Sequence, residues 1–179
     1  VYPTVEQTEE FFRVLPLITG EFEMFVRGRG NNLYLIREHH PEDSARHVDW
    51  KATAKTGMLK VREFTREDER RVRVVFDNPA PGVVSAEVYE RAVSLAASLA
   101  WYFARSEAQL TLVSPGYEGN DVYGFLSDLA VATPAATASP LQNLPQSDDY
   151  NVIVTGQPRG SISTNLWSSS YVLFMQEMN

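Results

Sequence analysis

The sequence contains no cysteine among its 179 residues. Disulfides, thiolate metal ligands and cysteine nucleophiles are therefore excluded, while the redox compartment stays open because a lack of cysteine suits any compartment. Basic residues are also scarce, since 16 lysines and arginines stand against 23 acidic residues and give a net charge of −7. A surface of that sign repels a polyphosphate backbone, so we expect no nucleic-acid partner.

Long hydrophobic runs are missing as well. The most apolar stretch, residues 93–104, is interrupted by serines and is shorter than the roughly 18 residues that a membrane-spanning helix needs. No signal peptide opens the chain, which begins at Val1 rather than at a methionine. We therefore expect a water-soluble segment of a longer protein, with no transmembrane helix of its own.

The apolar pattern of residues 71–179 predicts an α/β domain. The predicted elements are strands at 71–76, 108–113, 151–155 and 171–175 and helices at 85–106 and 121–132. Continuous apolar strands are typical of a parallel sheet covered on both faces, and their alternation with helices predicts a Rossmann-like, mainly parallel sheet flanked by helices. Residues 156–170 are rich in serine, glycine and threonine, so we expect a short or missing crossover helix there.

Residues 1–70 are predicted to form a β-rich extension of that domain. Phe22, Met24 and Val26 alternate with polar or outward positions, glycines at 28 and 30 supply turn residues, and an apolar run follows at 33–36. This alternation on either side of a glycine-rich turn predicts a β-hairpin. We expect the extension and the sheet domain to pack as one globular unit.

The most specific motif is an ordered array of charged and aromatic residues within residues 37–64. Its main positions are Arg37, Asp43, Arg46, Asp49, Trp50, Ala54, Leu59, Val61, Arg62 and Glu63. The array closely resembles the signature of the bacterial and archaeal family known as domain of unknown function 58. The resemblance covers residues 28 to 77 directly.

The later half of the chain resembles the von Willebrand A-type domain that occurs in the same proteins, so the resemblance implies a von Willebrand A-like fold. Such domains bind a divalent cation through D-x-S-x-S at the end of the first strand. Here Asp77 begins the motif, but Pro79 and Pro81 occupy both serine positions. Proline has no side-chain oxygen, so we expect a degenerate site at Asp77 that holds no metal, and we expect no cofactor.

Four residues of the signature, Arg46, Asp49, Trp50 and Lys51, are candidate partner-binding residues. A large aromatic side chain flanked by opposite charges is a common interface anchor. The alternative, which we favour on sequence grounds, buries Trp50 where the extension meets the sheet and pairs Arg46 with Asp49 around it. In that case the motif builds the fold and contacts no partner.

The sequence carries no nucleophile motif, paired-carboxylate motif or metal triad, so we predict no catalytic residue. Our leading hypothesis is a non-enzymatic protein-interaction domain of a larger bacterial protein. The family resemblance implies a membrane anchor elsewhere in that protein, a location on the cytoplasmic face of the membrane, and a MoxR-type AAA+ ATPase as a partner in protein assembly or maturation. The alternatives are a hydrolase or metal-dependent enzyme with a site near Asp77, Asp121 and Thr155, and a purely structural module.

Overall fold

The computed structural model describes two compact units. One unit combines the residues up to 23 with those from 70 onward, and the other consists of residues 24–69. The described residues are 3, 5, 8–30, 34–64 and 70–178.

The first element is a helix, α1 (Glu9–Gly30), and not a strand. It includes residues 21–26, so the predicted hairpin is wrong and the N-terminal extension is not β-rich. The reason is a longer apolar period that overrides the local alternation, because side chains at i, i+3, i+7 and i+11 share one face of a helix. The buried side chains on this face are Phe11, Val14, Ile18 and Phe22.

The smaller unit contains two strands joined through a short helix. These elements are β1 (Tyr34–Glu38), α2 (Trp50–Thr56) and β2 (Lys60–Phe64). The strands pair antiparallel, with Ile36 opposite Arg62 and Glu38 opposite Lys60. The helix ends at Gly57, whose φ of 71° lies in the left-handed region that favours glycine, and the amide of Gly57 donates a hydrogen bond to the carbonyl of Thr53.

The larger unit contains a five-stranded sheet. Its strands are β3 (Arg71–Asp77), β4 (Gln109–Ser114), β5 (Tyr117–Gly119), β6 (Tyr150–Thr155) and β7 (Ser170–Phe174). They lie in the order β5-β4-β3-β6-β7, and only β5 runs antiparallel to its neighbour. The prediction of a mainly parallel sheet in a mixed α/β fold is therefore confirmed.

Both predicted helices are present as α3 (Ala86–Ala104) and α4 (Val122–Leu129). Ser85 caps α3 by accepting a hydrogen bond from the amide of Val88, and Asp121 caps α4 in the same manner. The ring of Tyr89 on α3 meets the ring of Phe76 on β3 edge to face, which places α3 against that side of the sheet. Among the described residues, no helix is both long enough and apolar enough to cross a membrane.

The opposite side of the sheet is covered mainly by irregular chain. Val75, Val113 and Ile153 form its buried apolar cluster, and Leu141 and Leu144 from the connection before β6 pack against them. The connection from β6 to β7 contains only one helical turn, α5 (Thr164–Trp167). The predicted short crossover helix is therefore confirmed, and part of this sheet face carries no helix.

Candidate functional site

Asp77 occupies the last position of β3, at the carboxyl edge of the sheet where open α/β folds place ligands. Its side chain is buried, and its Oδ2 accepts a hydrogen bond of 2.6 Å from the hydroxyl of Thr155 at the end of β6. The Thr155 oxygen accepts in turn from the amide of Gln157 at 3.0 Å. Burial raises the pKa of Asp77, and the hydrogen bonds from Thr155, Ser139 and Gln157 oppose that rise only in part.

The proline loop after Asp77 packs closely on the start of the β6–β7 connection. A side-chain carbon placed on Gly156 would overlap the ring of Pro79, so only glycine fits at that position. The carbonyl of Pro79 accepts a hydrogen bond from the amide of Ala135 at 3.0 Å. These contacts hold the loop in place, and Asp77 itself is almost fully shielded from water.

The structure brings together two of the three residues of the alternative enzyme site. Asp77 and Thr155 are in contact, whereas Asp121 uses its carboxylate to accept from the amides of Tyr123 and Gly124 at the first turn of α4. At the last turn of the same helix, the carboxylate of Asp128 accepts a hydrogen bond from the hydroxyl of Ser114 at the end of β4. Asp121 lies about 10 Å further back along the helix axis, away from the carboxyl edge of the sheet.

Metal ligands are not clustered in the part of the chain that the structure describes. In residues 3, 5, 8–30, 34–64 and 70–178, no group of three or more histidine, aspartate or glutamate side chains is placed to hold an ion. The side chains of Thr155, Ser139 and Gln157 lie within reach of Asp77, and each of them already forms a hydrogen bond with its carboxylate.

We predict that titration with Mg²⁺ or Mn²⁺ in a calorimeter gives no micromolar binding. Mg²⁺ needs six oxygen ligands in near-octahedral array, and Pro79 and Pro81 supply no side-chain oxygen. Burial also favours the neutral form of Asp77, which is a poor cation ligand. Micromolar binding that disappears in Asp77→Ala would contradict this prediction.

The signature residues of the smaller unit form two ion pairs. In the first, both terminal nitrogens of Arg37 contact the carboxylate of Asp43 at 2.7 Å. The amide of His40 donates to the same carboxylate at 2.7 Å. This two-point pairing closes the turn after β1, and the hydrogen bond from Arg37 holds the pKa of Asp43 well below its usual range.

The second ion pair joins Asp49 to Arg62 across the smaller unit. Arg62 Nε donates to Asp49 Oδ2 at 2.7 Å, while Asp49 Oδ1 accepts from the amide of Ala52 at 2.9 Å. Asp49 is therefore both the cap of α2 and the link from that helix to β2. The hydrogen bond from Arg62 is the main cause of the lowered pKa of Asp49.

Trp50 begins α2 with 68% of its surface exposed, so the expectation of a buried Trp50 is wrong. The reason is that α2 is short and none of the residues Trp50–Thr56 is buried, so this helix does not pack its side chains into a core. Lys51 is exposed beside it. The side chain of Arg46, the fourth candidate, lies outside the described residues.

Sequence reasoning missed the partner of Asp49. The structure pairs Asp49 with Arg62, thirteen residues away on β2, which sequence reasoning did not name. The expected pairing with Arg46 stays a prediction, because the side chain of Arg46 lies outside the described residues. The pairing of β1 with β2 brings Arg62 opposite Ile36 and sets its position. To name Arg62 as the partner from sequence, one must first know that β1 pairs with β2.

Comparison with known protein families gives a match over part of the chain. Searches of curated proteins and of solved structures return no match to this chain. The family model described as "Protein of unknown function DUF58" matches residues 35–123, which include both ion pairs and Trp50 and extend through α3. The chain belongs to the DUF58 family.

Proposed function

We propose that this chain is a non-enzymatic protein-interaction domain whose contact surface is centred on Trp50. The main support for this proposal is that Trp50 is exposed and belongs to a part of the backbone that hydrogen bonds hold in place. Trp50 directly follows Asp49, whose carboxylate is held by both Arg62 and the amide of Ala52. An aromatic side chain on an ordered backbone loses little conformational entropy on binding, which is why tryptophan is enriched among residues that dominate interface energies.

Further exposed apolar side chains in the smaller unit support the proposal. Ile36 on β1 and both Met58 and Leu59 before β2 present apolar surface to solvent. Single exposed apolar residues are ordinary on proteins, but several of them in a small unit that also exposes a tryptophan are typical of an interaction surface.

The charges next to Trp50 support a partner with an acidic surface. Lys51 and Lys55 lie one helical turn apart on α2, and both are exposed. Like charges at this spacing repel each other slightly, so they do not stabilise the helix. An acidic group on the partner would relieve that repulsion and orient the complex.

The arrangement at Asp77 supports a non-enzymatic role for the larger unit. Its carboxylate is buried and accepts a hydrogen bond from Thr155, so a substrate in solution does not reach it. We further propose that this unit is a von Willebrand A-like fold with a degenerate cation site. The mainly parallel sheet and the position of Asp77 at the end of β3 support that assignment.

The partner that we propose is a MoxR-type AAA+ ATPase, bound on the cytoplasmic face of the bacterial membrane. The full-length protein would be membrane-anchored and act in the assembly or maturation of other proteins. These proposals rest on the resemblance of the signature at residues 37–64 to its family.

Replacing Trp50 by alanine is expected to weaken binding of the purified ATPase by about 30-fold, the loss typical of a dominant interface residue. Stability should change little because Trp50 is mostly exposed. Surface plasmon resonance with immobilised domain measures the affinity, and thermal denaturation checks the fold.

Phe12→Ala is the matched control for this experiment. Phe12 is an exposed aromatic residue on α1, outside the signature. The control should bind as the wild type does. Binding by Trp50→Ala within twofold of wild type, or an equal loss in both variants, would rule out Trp50 as the centre of the surface.

A further inference from the structure

Three arginines place their guanidinium groups over aromatic rings in the part of the chain that the structure describes. These pairs are Arg70 with Phe22, Arg159 with Phe174 and Arg105 with Trp101. A ring attracts the cation but accepts no ordinary hydrogen bond, so the N–H donors of such a guanidinium still need acceptors. A carboxylate matches them best, because its two oxygens fit the fork of the guanidinium.

Two of these arginines have a carboxylate partner within the protein. Arg70 forms an ion pair with Glu23, which directly follows Phe22 in the sequence. Arg159 forms a two-point pair with Glu177, in which Nη2 and Oε2 lie 2.8 Å apart. The molecule therefore uses one arrangement twice, in which a guanidinium contacts an aromatic ring and pairs with a carboxylate at the same time.

The third arginine, Arg105, has no such partner among the described residues. It directly follows α3, and its guanidinium lies 4.8 Å from the centre of the Trp101 ring. No described carboxylate or carbonyl accepts a hydrogen bond from its side chain. A carboxylate is therefore the component that the other two pairs have and this pair lacks.

A cavity of about 380 Å³ adjoins Arg105 and Trp101. Phe11 of α1 and Tyr102 of α3 line it with two further rings, which meet edge to face with their centres 6.4 Å apart. The other lining residues are Val5, Ser98 and Ser106, so none of the residues that line the cavity is acidic. Its volume lies near the lower end of the range for small-molecule sites, about 300–1,000 Å³, which suits a ligand of one or two rings.

We propose that this cavity binds a small aromatic monocarboxylate, whose carboxylate pairs with Arg105 and whose ring contacts the aromatic walls. Aromatic rings prefer edge-to-face and offset contacts with one another, which favours an aromatic ligand over an aliphatic one of equal charge. A single cation lines the cavity, and the net charge of −7 repels polyanions, so one carboxylate fits better than a phosphate. This site lies in the larger unit and does not depend on the Trp50 surface.

The test is an NMR titration of the ¹⁵N-labelled chain with sodium benzoate, followed through the indole N–H signals of its tryptophans. The sequence has three tryptophans, Trp50, Trp101 and Trp167, so each signal is assigned by replacing one of them by phenylalanine. We expect the Trp101 signal to shift with a dissociation constant on the order of 1 mM, while the other two signals stay in place. Benzamide has the ring without the charge and should bind about tenfold more weakly. Acetate has the charge without the ring and should produce no shift.

Replacing Arg105 by glutamine separates the contribution of the charge from that of the cavity. Arg105→Gln should weaken binding of benzoate about tenfold and leave the weaker binding of benzamide unchanged, because the aromatic walls remain. Arg159→Gln is the matched control, since Arg159 also lies over an aromatic ring but is already paired with Glu177. This control should bind benzoate as the wild type does.

Several outcomes would overturn the proposal. One is that benzoate up to about 20 mM leaves the Trp101 signal in place. Another is equal binding of benzoate and benzamide to the wild-type chain, a comparison that holds even if Arg105→Gln fails to fold. Equal binding of benzoate and cyclohexanecarboxylate would contradict the selection of an aromatic ring. An equal loss of benzoate binding in Arg105→Gln and Arg159→Gln would assign the effect to the overall charge of the protein and not to this cavity.

Discussion

Replacing Asp149 by asparagine is expected to lower the free energy of unfolding by about 3–5 kcal/mol, because it leaves the guanidinium of Arg73 buried without a counter-charge. Both side chains are almost fully shielded from water, and their contact measures 2.9 Å. Ser147 bridges the pair by donating to Asp149 at 2.9 Å, but a hydroxyl does not neutralise a cation. Equilibrium denaturation in urea measures the loss.

The control for this prediction is the exposed ion pair between Arg159 and Glu177. Glu177→Gln should lower the free energy of unfolding far less than Asp149→Asn does, since water screens both charges. The double variant with Arg73→Met and Asp149→Leu should recover much of the lost stability because it removes both buried charges at once. If Asp149→Asn and Glu177→Gln cost the same, the buried pair has no special role in stability.

Replacing Phe22 by alanine is expected to destabilise the chain by about 3–5 kcal/mol, the usual cost of removing a buried phenylalanine. Phe22 is 4% exposed, and its ring lies 6.2 Å from that of Phe103 on α3 and 5.7 Å from that of Tyr150 on β6. The guanidinium of Arg70 lies over the same ring. Thermal denaturation and urea denaturation both measure this loss of stability.

Met24→Ala is the discriminating control, because a strand would place Met24 on the same face as Phe22 whereas a helix does not. Met24 is 74% exposed, and its replacement should change stability by no more than about 0.5 kcal/mol. Equal losses in the two variants would contradict the helical assignment of residues 21–26.

The sheet and its helices were predictable from sequence because their patterns are long and uninterrupted. The strand at 151–155 and the helix that begins after Ser85 are examples, and the structure places them within one or two residues of the prediction. Strand β5 has only three residues, which is too few for a period to be recognised. In α1 the alternation of Phe22, Met24 and Val26 predicts a strand, whereas the longer helical spacing of Phe11 to Phe22 determines the structure, so the prediction is wrong there.

The candidate sites were only partly predictable. The position of Asp77 follows from the end of an apolar strand, but its contact with Thr155 depends on the pairing of two strands that are distant in sequence. The exposure of Trp50 depends on what lies beneath α2, and a sequence motif carries no such information. The cavity beside Arg105 depends on the packing of Phe11 of α1 against α3, which the sequence pattern alone does not indicate.

The parallel pairing of β3 with β6 has a consequence for biosynthesis. At ordinary rates of translation, the residues between Asp77 and Tyr150 take roughly 4–15 s to emerge. Throughout that interval one edge of β3, which becomes the centre of the sheet, has no partner strand. Contacts between strands so distant in sequence also form slowly. The nascent chain therefore passes through a period of exposure to aggregation, and any pause of the ribosome after residue 77 lengthens that period.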